Sequence, residues 1–253
     1  MQLKPLIACI VMAASSAALT AADELPPAVP DQGITRRQAD AILTELKAIR
    51  EALTHFAPAP AAPVAAAPMP VKAVVDATGG ETLGSNTALV TIVEFTDYQC
   101  PFCRQFHSTT FDQIRKKYVD SGKVRFVVLD YPLEFHSNAE KAAEAAHCAG
   151  DQGQFWRMRD VLSLNAAKLA PEDLTGYAQS LYMDVGVFRS CLDSGRYKEL
   201  VEAGQKKGAA VGVGGTPSFV IGKTTTSGVD GVVFVGAQPL EAFEAAILSA
   251  GKN

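Results

Sequence analysis

Residues 88–130 decide the fold. ALVTIVEF (88–95) leads through TDYQ (96–99) into CPFC (100–103), then RQFHSTTFDQIRKKY (104–118) and VRFVVLD (124–130). The first segment is a nearly continuous apolar run rich in β-branched residues, which suits a strand covered on both faces, as in a parallel sheet. The stretch after Cys103 has helical periodicity. A second strand follows and is stopped by Tyr131 and Pro132. The order is strand, CxxC, helix, strand, a crossover that should be right-handed.

Outward from this core, the main domain extends over 71–253. Helical patterns occupy about 137–210: Asn138–Cys148, Phe155–Leu164, Pro171–Tyr182, Asp184–Leu192 and Arg196–Lys207. Pro171-Glu172-Asp173 is a favourable helix start. Gly212, Gly214 and Gly215 break the pattern, TPSFVIG (216–222) and VVFV (232–235) are strands, and Leu240–Leu248 closes as a helix. The expected fold class is α/β, with a central mixed sheet flanked by helices and a helical insertion.

The chemistry follows from the residues. A thiolate, not a thiol, attacks a disulfide. Cys100 is placed at a helix N-terminus, where unpaired N–H groups and the helix dipole favour negative charge. Cys103 lies one turn later on the same face, and Pro101 suits the first helical turn because it has no N–H to lose. Cys100 is therefore expected to be the exposed nucleophile, and Cys103 the more buried, resolving thiol. A free cysteine titrates near about 8.5 and the strongest oxidants of this kind near about 3.5, a gap of roughly 7 kcal/mol. A helix end supplies at most about 2 kcal/mol of it, so the rest must come from hydrogen bonds to the sulfur. Phe102 offers no side-chain donor where a histidine would, which implies a milder oxidant than a CPHC pair.

Thr216 and Pro217 are expected to shape a substrate groove together with Pro101 and Phe102. Pro217 lacks an N–H and so keeps its edge from pairing as an ordinary strand, and the Thr216 backbone can hydrogen-bond an extended client chain. Glu94 is either a buried acid with a raised pKa, able to exchange a proton with Cys103, or a strand-end carboxylate reaching solvent. Asp97 is read as a turn residue, and His147 is assigned no role. A metal site of Cys100, Cys103 and His107 lacks a fourth ligand nearby, so no metal is expected. A Cys–His protease leaves the second cysteine unexplained.

Glu94-Phe95, CPFC (100–103), GTPSF (215–219) and VGAQ (235–238) together resemble the DsbA-like branch of the thioredoxin superfamily, over roughly Ala88 to Ala250. The resemblance implies a thioredoxin-like fold and a thiol:disulfide oxidoreductase. It implies a cis peptide bond before Pro217, lying against the CxxC, and an acid at the Glu94 position. It also implies a second, structural disulfide, Cys148–Cys191, joining two helices, against the alternative of two buried thiols. Closing so long a loop would stabilise by around 4 kcal/mol on the entropy model.

The N-terminal third is organised differently. Residues 1–22 combine a short basic start, an apolar stretch and a small-residue end, the pattern of a cleavable export signal. A lipobox-like reading at Leu6–Cys9 is discounted because too few apolar residues precede it. Removal would take Cys9 and leave four of the five cysteines, an even count that suits an oxidising compartment such as the periplasm. In residues 23–56, Thr35 and Gln38 can form a capping box. Ala39, Ile42, Leu46, Ile49, Leu53 and Phe56 then follow at heptad a/d spacing. A lone helix of roughly 31 Å is marginal in water. Its stripe needs another surface, either its own domain or further copies in a homo-oligomeric stalk through residues 36–56. Residues 57–70, built of Ala and Pro, form a semi-rigid linker that can reach roughly 43 Å.

Hydrophobic residues make up 48% and charged residues 20%, with net charge −4, and there is no basic stripe of the kind nucleic-acid binding needs. No internal apolar run reaches the roughly 18 residues of a membrane span. No cofactor is called for. The implied partners are Cys-containing client proteins and a membrane or soluble redox partner, and the job is either oxidase or isomerase. Two alternatives from other classes are an oligomeric chaperone or binding module, and soft-metal (copper) handling by the same thiols.

Overall fold

The structure is a computed structural model that describes residues 34–55 and 71–252. The export-type segment at 1–22, Phe56 and the linker at 57–70 lie outside the described residues. The chain divides into two compact units, 1–65 and 66–253.

In the first unit, α1 spans Arg36–His55. Its start is the capping box expected of Thr35 and Gln38. The Thr35 N–H donates to Gln38 Oε1 at 3.0 Å, and the Gln38 N–H to Thr35 Oγ1 at 3.4 Å. Of the heptad seam, Ile42, Leu46 and Ile49 are each about half exposed.

The second unit is built on a six-stranded sheet of order β1-β6-β5-β3-β4-β2. The strands are β1 (Lys72–Val75), β2 (Glu81–Leu83), β3 (Val90–Thr96), β4 (Val124–Asp130), β5 (Ser218–Thr225) and β6 (Gly228–Val235). Every residue of β3 is buried. It runs parallel to β4 and antiparallel to β5, which places the apolar run of 88–95 in the middle of a mixed sheet. On one face, Val90, Ile92, Phe126, Val128, Phe219 and Ile221 join the larger core with the helices. On the other, Val93, Phe95, Val127, Leu129 and Val220 form a smaller core, where α8 (Lys198–Ala210) packs. Gly204 makes that approach possible, because a Cβ there would meet the Asp130 carbonyl oxygen at 2.7 Å.

β3 feeds α2 (Pro101–Phe106), and helical backbone continues through a π-helical turn at His107–Phe111, α3 (Asp112–Ile114) and a second π-helical turn at Arg115–Val119 before β4. The insertion holds α4 (Ala139–Gly150), α5 (Phe155–Leu164), α6 (Pro171–Ser180), α7 (Val185–Asp193) and α8, and α9 (Leu240–Ala250) follows the last strand. A disulfide joins Cys148 of α4 to Cys191 of α7, with Cα atoms 5.8 Å apart.

Three features differ from the sequence reading. β1 and β2 were not expected. They are three- and four-residue edge strands, too short for a period-2 pattern to register. β6 is twice the length of VVFV, because Gly228 to Gly231 pair with β5, and Val229 to Gly231 with β1 as well, despite their composition. His147 is not without a role. It is buried, its Nε2 lies 2.7 Å from Asp130 Oδ2 and its Nδ1 3.7 Å from Glu81 Oε1, so it ties α4 to two strands.

Burial opposes charge on His147, but Asp130, by charge and hydrogen bond, and Glu81 outweigh it and push its pKa from 6.5 up to about 9. A pKa raised on folding stabilises fully below the unfolded value and fades as pH rises through the folded one. Denaturant unfolding of the oxidised protein, in which the active-site thiols do not titrate, should lose on the order of 3 kcal/mol of stability from below pH 6.5 to above pH 9. His147→Gln should remove that slope.

Candidate active site

Cys100 is the N-cap of α2, with φ −73° and ψ 124°, and Pro101 fills the first helical position. The Arg104 N–H donates to the Cys100 carbonyl at 3.1 Å. The sulfur therefore sits over unpaired N–H groups at a helix mouth. Opposite lies the loop ahead of β5. The Thr216–Pro217 peptide bond is cis, and the Thr216 carbonyl accepts from the Cys100 thiol at 3.3 Å. The site thus brings Cys100, Cys103, Thr216 and Pro217 together, with Phe102 59% exposed at its rim.

One expectation is corrected. Cys100 is not an exposed side chain: it is 3% accessible, against 5% for Cys103. The Thr216–Pro217 loop lies across it and leaves little of the sulfur open. The two thiols differ in their electrostatics. A hydrogen bond from the Cys103 thiol favours the Cys100 thiolate. Burial opposes it, and Thr216 and the backbone amides of Cys103 and Phe102 support it, so the pKa falls to about 5. Burial pushes Cys103 far above the ordinary thiol range. Its hydrogen bond to Cys100 and the charges of Cys100 and Glu94 push it the same way, against the Asp97 N–H, which lies 3.5 Å from its sulfur.

Glu94 points into the larger core and does not reach solvent. It is fully buried, and its Oε2 lies 2.7 Å from Arg159 Nη2. Burial raises its pKa, and Arg159 pulls it back. Arg159 went unnoticed in the sequence because a lone arginine in an amphipathic helix looks like surface. His107 belongs to the same cluster: Arg159 Nη1 donates to its Nδ1 at 3.0 Å, and its Nε2 lies 3.4 Å from Asp160. Asp97 is more than a turn residue. Its carboxylate accepts from the Gln99 N–H at 2.7 Å and from the Leu133 N–H at 2.9 Å, and pairs with His136 Nδ1 at 2.7 Å. It thereby fastens the loop after β4 beside the cysteines. No group of three or more potential metal ligands occurs among the described residues.

A CxxC at a helix mouth, facing a cis-proline loop across a mixed sheet, marks the thioredoxin fold. The family model described as Thioredoxin matches residues 76–247, and the chain belongs to that family. Its architecture is that of solved DsbA-like proteins. The crystal structure of α-DsbA1 from Wolbachia pipientis superposes with a TM-score of 0.60 at 22% identity, over 68% of this chain and 92% of that one. The chain is 29% identical over 152 residues to the probable disulfide bond formation protein D of Bacillus anthracis, covering 56% of this chain and 69% of that protein. It is also 36% identical over 177 residues to the Na(+)/H(+) antiporter NhaA 1 of Salinispora arenicola, covering 70% of this chain. It spans only about a quarter of that relative's length. None of the described helices is long and apolar enough to cross a membrane.

Titration of the reduced protein by thiolate absorbance should give a Cys100 midpoint of about 5. A pKa depressed on folding stabilises above the unfolded value and is lost as pH falls through the folded one. The reduced protein should accordingly unfold at higher denaturant than the oxidised one at neutral pH. That gap should close below pH 5, and Cys100→Ser, which has no thiolate there, should unfold without the pH dependence of the reduced wild type.

Proposed function

We propose that this chain is an exported thiol:disulfide oxidoreductase that exchanges disulfides with Cys-containing client proteins. The observation that carries this reading is the geometry of the pair: Cys100 caps the N-terminus of α2 against the cis-Pro217 loop, with Cys103 buried one turn on, an arrangement that lowers the Cys100 pKa to about 5 and raises that of Cys103. In the oxidising direction a client thiolate attacks Cys100, a mixed disulfide forms, and Cys103 leaves as a thiolate that takes a proton from Glu94. A second client thiolate then attacks the client sulfur, and Cys100 leaves as the stabilised thiolate. The client loses two electrons and the enzyme disulfide gains them. The Thr216 carbonyl and the exposed ring of Phe102 offer an extended client chain one polar and one apolar contact. A separate membrane or soluble partner re-oxidises the dithiol. Export is supported by the pattern of residues 1–22, and the Cys148–Cys191 bond suits an oxidising compartment.

A depressed Cys100 pKa stabilises the reduced form and so favours donating the disulfide. The half-exposed seam of Ile42, Leu46 and Ile49 favours a second reading, an isomerase in which α1 joins several copies. Thiol trapping in living cells separates the two: oxidised Cys100 at steady state means a disulfide donor, and reduced Cys100 means an isomerase. Cys100→Ala should abolish insulin reduction and repair of a scrambled substrate. If it instead retains suppression of aggregation of a Cys-free client while wild-type exchange is negligible, the protein is a chaperone and the oxidoreductase reading fails.

Light scattering should give a mass several times that of one chain for the full-length protein. It should give a single-chain mass once residues 23–70 are removed. A single-chain mass for both would remove the stalk from the account.

A further inference from the structure

Arg159 is the bulkiest side chain the domain buries completely. A guanidinium away from water is costly unless its hydrogens find acceptors. Nη2 donates to Glu94 and Nη1 to His107. The guanidinium carbon lies 4.2 Å from the centre of the Phe111 ring, and Nε has no protein acceptor among the described residues. The two groups it bridges stand on either side of the dithiol. Glu94 is on β3, six residues before Cys100, and His107 is one turn beyond Cys103. One cation, delivered by the helical insertion, therefore holds the strand and the helix that carry the two sulfurs.

The surrounding charges show what that cation does. Buried His107 is driven down to about 3, by desolvation first and then by Arg159, so it is a neutral acceptor, with Asp160 beyond it and Asp112 acting on it from α3. Glu94 is the only carboxylate that Arg159 bonds directly among the described residues. From β4, Asp130 pushes Glu94 towards its neutral form, although Asp130 is itself paired with His147. From β3, Thr96 favours the ionised form by a hydrogen bond. Tyr98 contributes only a neutral hydroxyl. Burial and Asp130 together would lock a proton onto Glu94, and Arg159 is the largest influence in the opposite direction.

We propose that Arg159 is a positioning residue that sets the proton affinity of Glu94, and through it the pH range in which Cys103 gains or loses its proton during disulfide exchange. The inference rests on the reading of Glu94 as the proton partner of Cys103. In the resolving direction the Cys103 thiol gives its proton to the Glu94 carboxylate. The Cys103 thiolate then attacks the Cys100 sulfur of a mixed disulfide, the new S–S bond forms, and the outgoing thiolate leaves with the electron pair. Thiol plus carboxylate becomes thiolate plus carboxylic acid, so the buried charge does not change. Arg159 is the fixed counter-charge in both states.

The test uses the full chain, reduced and mixed with excess oxidised glutathione, then acid-quenched and weighed by mass spectrometry across a range of pH. Formation of the mixed disulfide reports Cys100, and its first-order disappearance reports Cys103. In the wild type the second rate should rise with pH through an inflection that Glu94→Gln removes. Arg159→Met should move that inflection up by at least about one pH unit and slow resolution below it about tenfold, with the first step unchanged. Arg159→Lys, which keeps the charge, should restore the profile.

A folded Arg159→Met variant that only melts earlier, with its inflection unmoved, overturns the proposal and leaves Glu94 in place. An inflection that survives Glu94→Gln overturns the Glu94 reading and this inference with it, while the Cys100 step stands. Should Arg159→Met not fold, the neutral pair Glu94→Gln/Arg159→Met is compared with Glu94→Gln alone. Equal resolution rates support the proposal. A further loss of about tenfold contradicts it, because Arg159 would then act independently of Glu94.

Discussion

The unequal proton affinity of two sulfur atoms one helical turn apart governs the rest of this structure. A thiolate at Cys100 needs donors and a positive end, and the mouth of α2 supplies both. A thiol at Cys103 needs burial, and the core beneath β3 supplies that. Neither condition arises from the CPFC tetrapeptide alone. The strand must end where it does, the helix must begin with a proline, and the loop ahead of β5 must lie against the sulfur. The sheet order with β3 at its centre is what brings residues more than a hundred positions apart to one point.

Beneath the sulfurs the domain buries charge, which proteins ordinarily avoid. Glu94 with Arg159, and Asp130 with His147, are ion pairs almost out of contact with water. Each connects the sheet to the helical insertion, so the insertion is more than a cover: α4 and α5 carry the partners of both carboxylates. The buried disulfide between α4 and α7 fixes the same layer. Rigidity of this layer keeps the distances on which the electrostatics of the pair depend.

Much of this was legible in the residues. The apolar run of 88–95, the CxxC after it and the Pro-led strand at 217 are local patterns, and each landed on the element expected of it. So did the helices of the insertion, whose amphipathic spacing is strong. What escaped was non-local. β1 and β2 are short edge strands that exist only because β6 and β4 offer them partners. Arg159, His147 and Asp97 look like ordinary polar residues until the fold buries them against specific carboxylates or amides. The low exposure of Cys100 was missed for the same reason, since the loop that covers it arrives from the far end of the chain. α1 shows the complementary limit: its cap and seam are written in the sequence, whereas what meets the seam is not.

The reduction potential in equilibrium with glutathione tests the central claim most directly. Thioredoxin, with its nucleophilic thiol near pKa 7, sits at about −270 mV, and the strongly oxidising DsbA at about −120 mV. A Cys100 pKa of about 5 lowers the thiolate's proton affinity by about two units relative to thioredoxin, which converts to roughly 60 mV. The account predicts a potential near about −210 mV, between the two reference proteins. A value at or below that of thioredoxin would mean that the charge at Cys100 does not set the poise of the pair, and would contradict it.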